Sequence, residues 1–135
     1  MPHLVILDTP NLDAQTDMTR PCRTLADTML KVEDEADQPI SPTSGVRVLA
    51  CLAARCAVTD GSGDHAFVYL NPRRGRGRSD AVRQHTREML SAAAQDHFAP
   101  LLAQRPAGLT LQVDGSPEVF DTKFGNPHPL FQKAR

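Results

Sequence analysis

The chain begins MPHLVILDTP, and the chemistry of its second residue depends on processing. If Met1 is removed, Pro2 becomes the terminus and its ring nitrogen a free secondary amine. That amine is a base. A free α-amino group titrates at about 7.7 to 8.0 and a proline amine is more basic still, so in water at neutral pH it would be protonated. Burial at the head of an apolar strand and nearby arginines would both disfavour the cation and bring the amine into working range. The plainer alternative is structural, because proline is tolerated at the first residue of a strand, where it need not donate to the ladder.

A second concentration of chemistry lies in NPRRGRGRS, residues 71 to 79. Arg73, Arg74, Arg76 and Arg78 crowd one loop, and the glycines between them would let backbone N–H groups approach an anion. RGRGR runs also occur in RNA-binding tails, but this one lies between a strand and a capped helix with no interleaved aromatics. Nucleic acid is therefore not the expected partner. The five histidines are scattered, and His3, His65 and His85 have neither metal-ligand spacing nor a helical HxxxH arrangement, so no metal and no cofactor is expected. His97, on an apolar helix face, reads as a packed core histidine. Cys51 and Cys56 differ by an odd number along one expected strand and would point to opposite faces, against a disulfide or shared metal. Cys22 reads as helix packing. No GxSxG elbow supports a serine triad.

These groups need a scaffold, and apolar patterning outlines one. LVIL at 4 to 7 is too short for a helix and is bounded by DTPN turn chemistry, which predicts a strand covered on both faces. From Asp17 to about Val32, Cys22, Leu25, Ala26, Met29 and Leu30 recur at three and four residues, with Pro21 in the first turn of a helix. VEDEADQPISPTSG is an exposed connector whose acids form a solvated face. VRVLACLAARCAV at 46 to 58 predicts a long strand, with a helix as its rival. HAFVYL at 65 to 70 follows the turn DGSGD as another strand, and the two should form an antiparallel hairpin. Ser79 caps a second helix whose face is Val82, Met89, Ala93, His97 and Leu101, and Pro100 should end or kink it near residue 99. LTLQVD at 109 to 114 alternates as a last strand. A Pro/Gly-punctuated tail closes the chain.

At 135 residues the chain fits a single domain over 1–135, with halves at about 1–60 and 61–115 and a tail over 116–135. Fifteen Lys and Arg against 16 Asp and Glu leave a net charge of −1, which disfavours general binding to nucleic acid or anionic membranes. An odd cysteine count, no leader-like segment and no membrane-length apolar run point to a reduced, cytoplasmic protein. Strands alternating with two helices predict an α/β (α+β) fold with the helices on one face of a mixed sheet.

MPHLVI at the start, PTSGVR at 42 to 47 and GDHAFVYLNPRRGRGRS at 63 to 79 together resemble the tautomerase superfamily, and within it the 5-carboxymethyl-2-hydroxymuconate isomerase family. The resemblance implies a tautomerase-like fold of two β-α-β units, four strands and two helices, assembled as a homotrimer. It implies an isomerase acting on an unsaturated 2-hydroxy or 2-oxo carboxylic acid, with Pro2 as general base. Arg47 and Arg78 match the family's arginines, and with Arg74 they are expected to bind substrate carboxylates through paired hydrogen bonds. One of them can also stabilise a developing dienolate. Family members commonly carry an acid where this chain has Leu7, while the acid here is Asp8, which strand alternation sends to the other face. The rival readings are another proline-dependent activity, such as dehalogenation or decarboxylation, and a non-enzymatic trimer that binds organic anions.

Overall fold

The computed structural model describes residues 3–12, 17–74 and 78–115, apart from the side chain of Arg74. The first strand, β1 (His3–Asp8), carries the LVIL run, and its burial alternates: Leu4 and Ile6 are fully buried and Leu7 is 42% exposed. Among the described residues only one face of this strand is covered, where two were expected. Asp17 precedes Met18, the N-cap residue of α1 (Thr19–Lys31), and its carboxylate accepts the Thr19 N–H at 3.0 Å. Pro21, Leu25, Ala26 and Met29 form the buried stripe of α1, with Cys22 half-buried beside it. Because α1 carries the chain back over the sheet, β2 (Arg47–Leu52) lies parallel to β1.

β2 is much shorter than the predicted 46–58. Its ladder stops at Leu52 because its partner β1 stops opposite, at Asp8, and the last bond runs from Ala53 N–H to the Asp8 carbonyl at 2.9 Å. Cys56 therefore lies beyond the strand, and the alternation argument does not apply to it; all three cysteines are free. The predicted hairpin is also corrected. β3 (Ala66–Arg74) pairs antiparallel with β1, which lies between it and β2, so residues 53–65 cross over rather than turn back. Thr59 on this crossover holds a left-handed φ of 55°, and its hydroxyl lies 2.9 Å from His65 Nδ1.

β4 (Ala107–Leu111) runs parallel to β3, two residues earlier than predicted, and the sheet order is β2-β1-β3-β4. The two-residue β5 (Asp114–Gly115) then pairs with Arg73 and Arg74 of β3. The two ladders share one register and lapse only beside Asn71 and Pro72. Pro72 has no N–H to donate, which is where such a break is tolerated.

α2 (Asp80–Gln104) starts as predicted, with Ser79 Oγ accepting the Val82 N–H. Its buried stripe is Val82, Thr86, Leu90, Ala94 and Phe98, so the expected line through Met89, Ala93, His97 and Leu101 is its half-buried flank. Thr86 can be buried because its hydroxyl donates to the Val82 carbonyl at 2.8 Å. The helix also runs through Pro100 to Gln104. Phe98, fully buried, and Leu101 anchor the turns on either side, and each large apolar side chain buried contributes roughly 1.5–3 kcal/mol, enough to offset a missing backbone bond.

Both helices pack on the face bearing Leu4, Ile6, Val68 and Leu70. The other face of the sheet has no covering layer within the described residues. Its residues include His3, Val5 and Leu7 of β1, Leu49 and Cys51 of β2, and Asn71 and Tyr69 of β3. At the lower end, Arg105 donates to the carbonyls of Asn11 and Asp64 and forms an ion pair with the Asp64 carboxylate at 3.2 Å.

Candidate active site

The register across three strands decides what lies beside the start of the chain. His3 is level with Arg47 of β2 on one side and Arg73 of β3 on the other. All three belong to the open face, since Leu4 and its partners Val48 and Pro72 occupy the next row toward the helices. Pro2 precedes His3 directly in the sequence and lies outside the described residues. Arg47 is exposed, and its Nη1 donates to the Gly45 carbonyl at 3.3 Å, a turn that the 3-10 segment Thr43–Gly45 places just before β2.

Arg78 is anchored differently. Its Nη2 donates to the Ile40 carbonyl at 2.9 Å, tying the start of α2 to the connector that leads into β2. That connector is more ordered than a solvated face requires. Asp34 accepts the N–H groups of Gln38 and Ala36, which hold its carboxyl below the ordinary range, with a smaller contribution from the Arg78 charge. The Glu35 carboxylate accepts the Ser79 hydroxyl. Arg78 is thus a strut as well as a donor, with one of its five N–H groups engaged by Ile40. Arg74 is described by its backbone alone, opposite Gly115.

Sequence reasoning missed His3, Arg73 and Asn71 as neighbours of this row. The signal was the length of β3: reading NPRR as loop after Leu70 hid four residues of strand. Asn71 is 3% exposed; its amide donates to the Gln112 carbonyl at 2.8 Å and to Asp114 Oδ2 at 3.0 Å, and its Oδ1 accepts the Arg73 Nε–H at 2.8 Å.

A pocket of about 490 Å³ opens at the opposite end of β1, lined by groups that include Leu7, Thr9, Cys56, Val58, Phe67 and Tyr69. Among the described residues its lining is mainly apolar and includes no arginine. Leu7 faces the open side and Asp8 is buried toward the helices, so Asp8 does not take the place of an acid at position 7. His97 is half-buried, its ring edge against Phe98, and burial first and Arg20 second push its pKa below the ordinary value. Burial likewise pushes the Cys22 thiol up, in keeping with packing rather than reactivity.

Residues 2–131 match the family model of 5-carboxymethyl-2-hydroxymuconate isomerase, nearly the whole chain. The chain belongs to that family. This isomerase-family chain is 27% identical, over 98% of its length and 100% of the relative, to the 5-carboxymethyl-2-hydroxymuconate Delta-isomerase of Escherichia coli. A solved 5-carboxymethyl-2-hydroxymuconate delta-isomerase superposes with a TM-score of 0.92 at 51% identity, covering 98% of this chain and 93% of the other. A 5-carboxymethyl-2-hydroxymuconate isomerase from Deinococcus radiodurans R1 gives a TM-score of 0.84 at 31% identity, with 97% and 94% covered. The isomerase-family chain thus has the tautomerase fold, two helices on one face of a mixed four-stranded sheet. No helix among the described residues is long and apolar enough to cross a membrane.

Proposed function

We propose that this chain ketonises an unsaturated 2-hydroxy carboxylic acid of the 5-carboxymethyl-2-hydroxymuconate class, with Pro2 as general base and Arg47 and Arg78 binding carboxylates. The observation that carries this reading is the register that sets Arg47 level with His3, one residue from Pro2. The Pro2 nitrogen removes the 2-hydroxyl proton, the oxygen's electron pair forms the C2 carbonyl, and the conjugated double bonds shift. The same nitrogen then returns the proton to a carbon further along the system, giving the unsaturated 2-oxo acid and regenerating the free amine. An arginine beside the 2-oxygen lowers the energy of the intervening dienolate, because its charge is fixed where the negative charge develops.

The working form we infer is a homotrimer in the cytoplasm. A sheet face that the described residues leave uncovered, bearing Leu7 and Leu49, supports self-association, and three free cysteines suit a reducing compartment.

The test combines intact mass with an absorbance assay of ketonisation. A mass lacking one methionine is expected, together with a Pro2→Ala variant that keeps its assembly but loses about 10²- to 10⁴-fold in kcat. A retained Met1, or a Pro2→Ala variant as active as the parent, would remove the base from the mechanism.

A further inference from the structure

The geometry points to Arg73 as a third carboxylate-binding residue, one that selects acids carrying a carboxylate arm beyond the two of a simple diacid. This inference rests on the substrate class proposed above. Arg73 and Arg47 flank His3 on the open face, separated by two strand spacings, or about 10 Å between Cα atoms. Two cations on one face beside a histidine repel one another unless an anion lies between them. Arg23, Arg83 and Arg105 each form an ion pair with a carboxylate, whereas among the described residues no ion pair involves Arg73 or Arg47.

Arg73 is also aimed. Its Nε–H is held by Asn71 Oδ1, and Asn71 is nearly fully buried with its amide engaged by the Gln112 carbonyl and the Asp114 carboxylate, so the asparagine cannot turn its oxygen away. The bond occupies the inner edge of the guanidinium. The two terminal amino groups keep the fork geometry that grips a carboxylate. Asp114 is the acid level with Arg73 in β5, and it is spent on Asn71 rather than paired with the guanidinium.

A 5-carboxymethyl-2-hydroxymuconate has three carboxylates, two from the muconate chain and one from the carboxymethyl arm. Arg47 and Arg78 account for two. The third falls to Arg73, because β3 runs on to residue 74 and puts Arg73 in the row with His3 and Arg47.

The experiment compares the parent with Arg73→Gln, Arg73→Lys and Asn71→Ala, using the triacid and the same diacid without its carboxymethyl arm. For Arg73→Gln the KM for the triacid should rise about tenfold to a hundredfold, while kcat and the KM for the diacid stay within about threefold. Arg73→Lys should restore part of the difference, since an ammonium supplies charge without the fork, and Asn71→Ala should lose discrimination while the charge remains. Equal losses on both acids, or none on either, would overturn the assignment. Calorimetric titration of the same proteins with the same acids keeps the two readings separate. If the parent turns over neither acid, the proposed reaction falls. Arg73 is then judged by whether Arg73→Gln weakens triacid binding at least about tenfold more than diacid binding; a smaller difference, or no binding of either acid, overturns it.

Discussion

Ser79 shows how one side chain joins two parts of this fold. Its hydroxyl oxygen caps α2 at Val82 while its proton goes to Glu35 on the connector. Ser79→Ala should cost about 1 kcal/mol in urea unfolding from the lost cap, and a change below about 0.3 kcal/mol would mean that water replaces it fully. His97 gives a pH dependence with a definite sign. Because burial lowers its pKa in the fold, the unfolded chain takes up the proton first as pH drops past its ordinary value of about 6.5. Stability is therefore complete above that pH and declines below it, until the folded imidazole also protonates. Between pH 7 and pH 5 the parent should lose more Tm than His97→Gln; equal losses would assign the acid sensitivity to other groups. Thr59 carries strain of a local kind, since a β-branched residue with a left-handed φ is unfavourable by roughly 1–2 kcal/mol.

Helix α2 is the element that departs most from local preference, because Pro100 sits inside it. Pro100→Ala should stabilise the protein by about 2 kcal/mol, the helix penalty of proline less its restriction of the unfolded chain. Leu90→Ala, in the same helix but fully buried, should destabilise it by about 2–5 kcal/mol. Comparable thermal shifts of one sign for both would contradict the packing described. These two residues also mark how far local patterning reaches. Ser79, the 3.6-residue recurrence in α1 and the LVIL strand were legible because capping and periodicity are local. Tertiary packing carried the helix through Pro100, so its continuation was not. The strand partners were hidden for a different reason: HAFVYL and VRVLACL look like consecutive hairpin strands, and nothing in either says that β1 has already taken the place between them. With that pairing misread, Arg47 stood out only through the family resemblance, and Arg73 looked like one of four loop arginines.

For the molecule as a whole, the decisive feature is the asymmetry of its sheet, with two helices on one face and, among the described residues, no covering layer on the other. Leu49, 57% exposed in the middle of β2, is the residue whose burial by a second copy would gain most. If the proposed trimer forms through this face, Leu49→Asp should leave single chains in sedimentation, because a buried unpaired carboxylate is far more costly than an exposed one. A variant that still sediments with the parent would place the contact elsewhere. Association through this face would also tie folding to mass action. If part of the apolar surface is removed from water only between copies, association and folding are linked equilibria, and the free energy holding each chain together depends on how many chains are present. Diluting the protein a hundredfold should then lower its thermal midpoint, as no self-sufficient monomer would show.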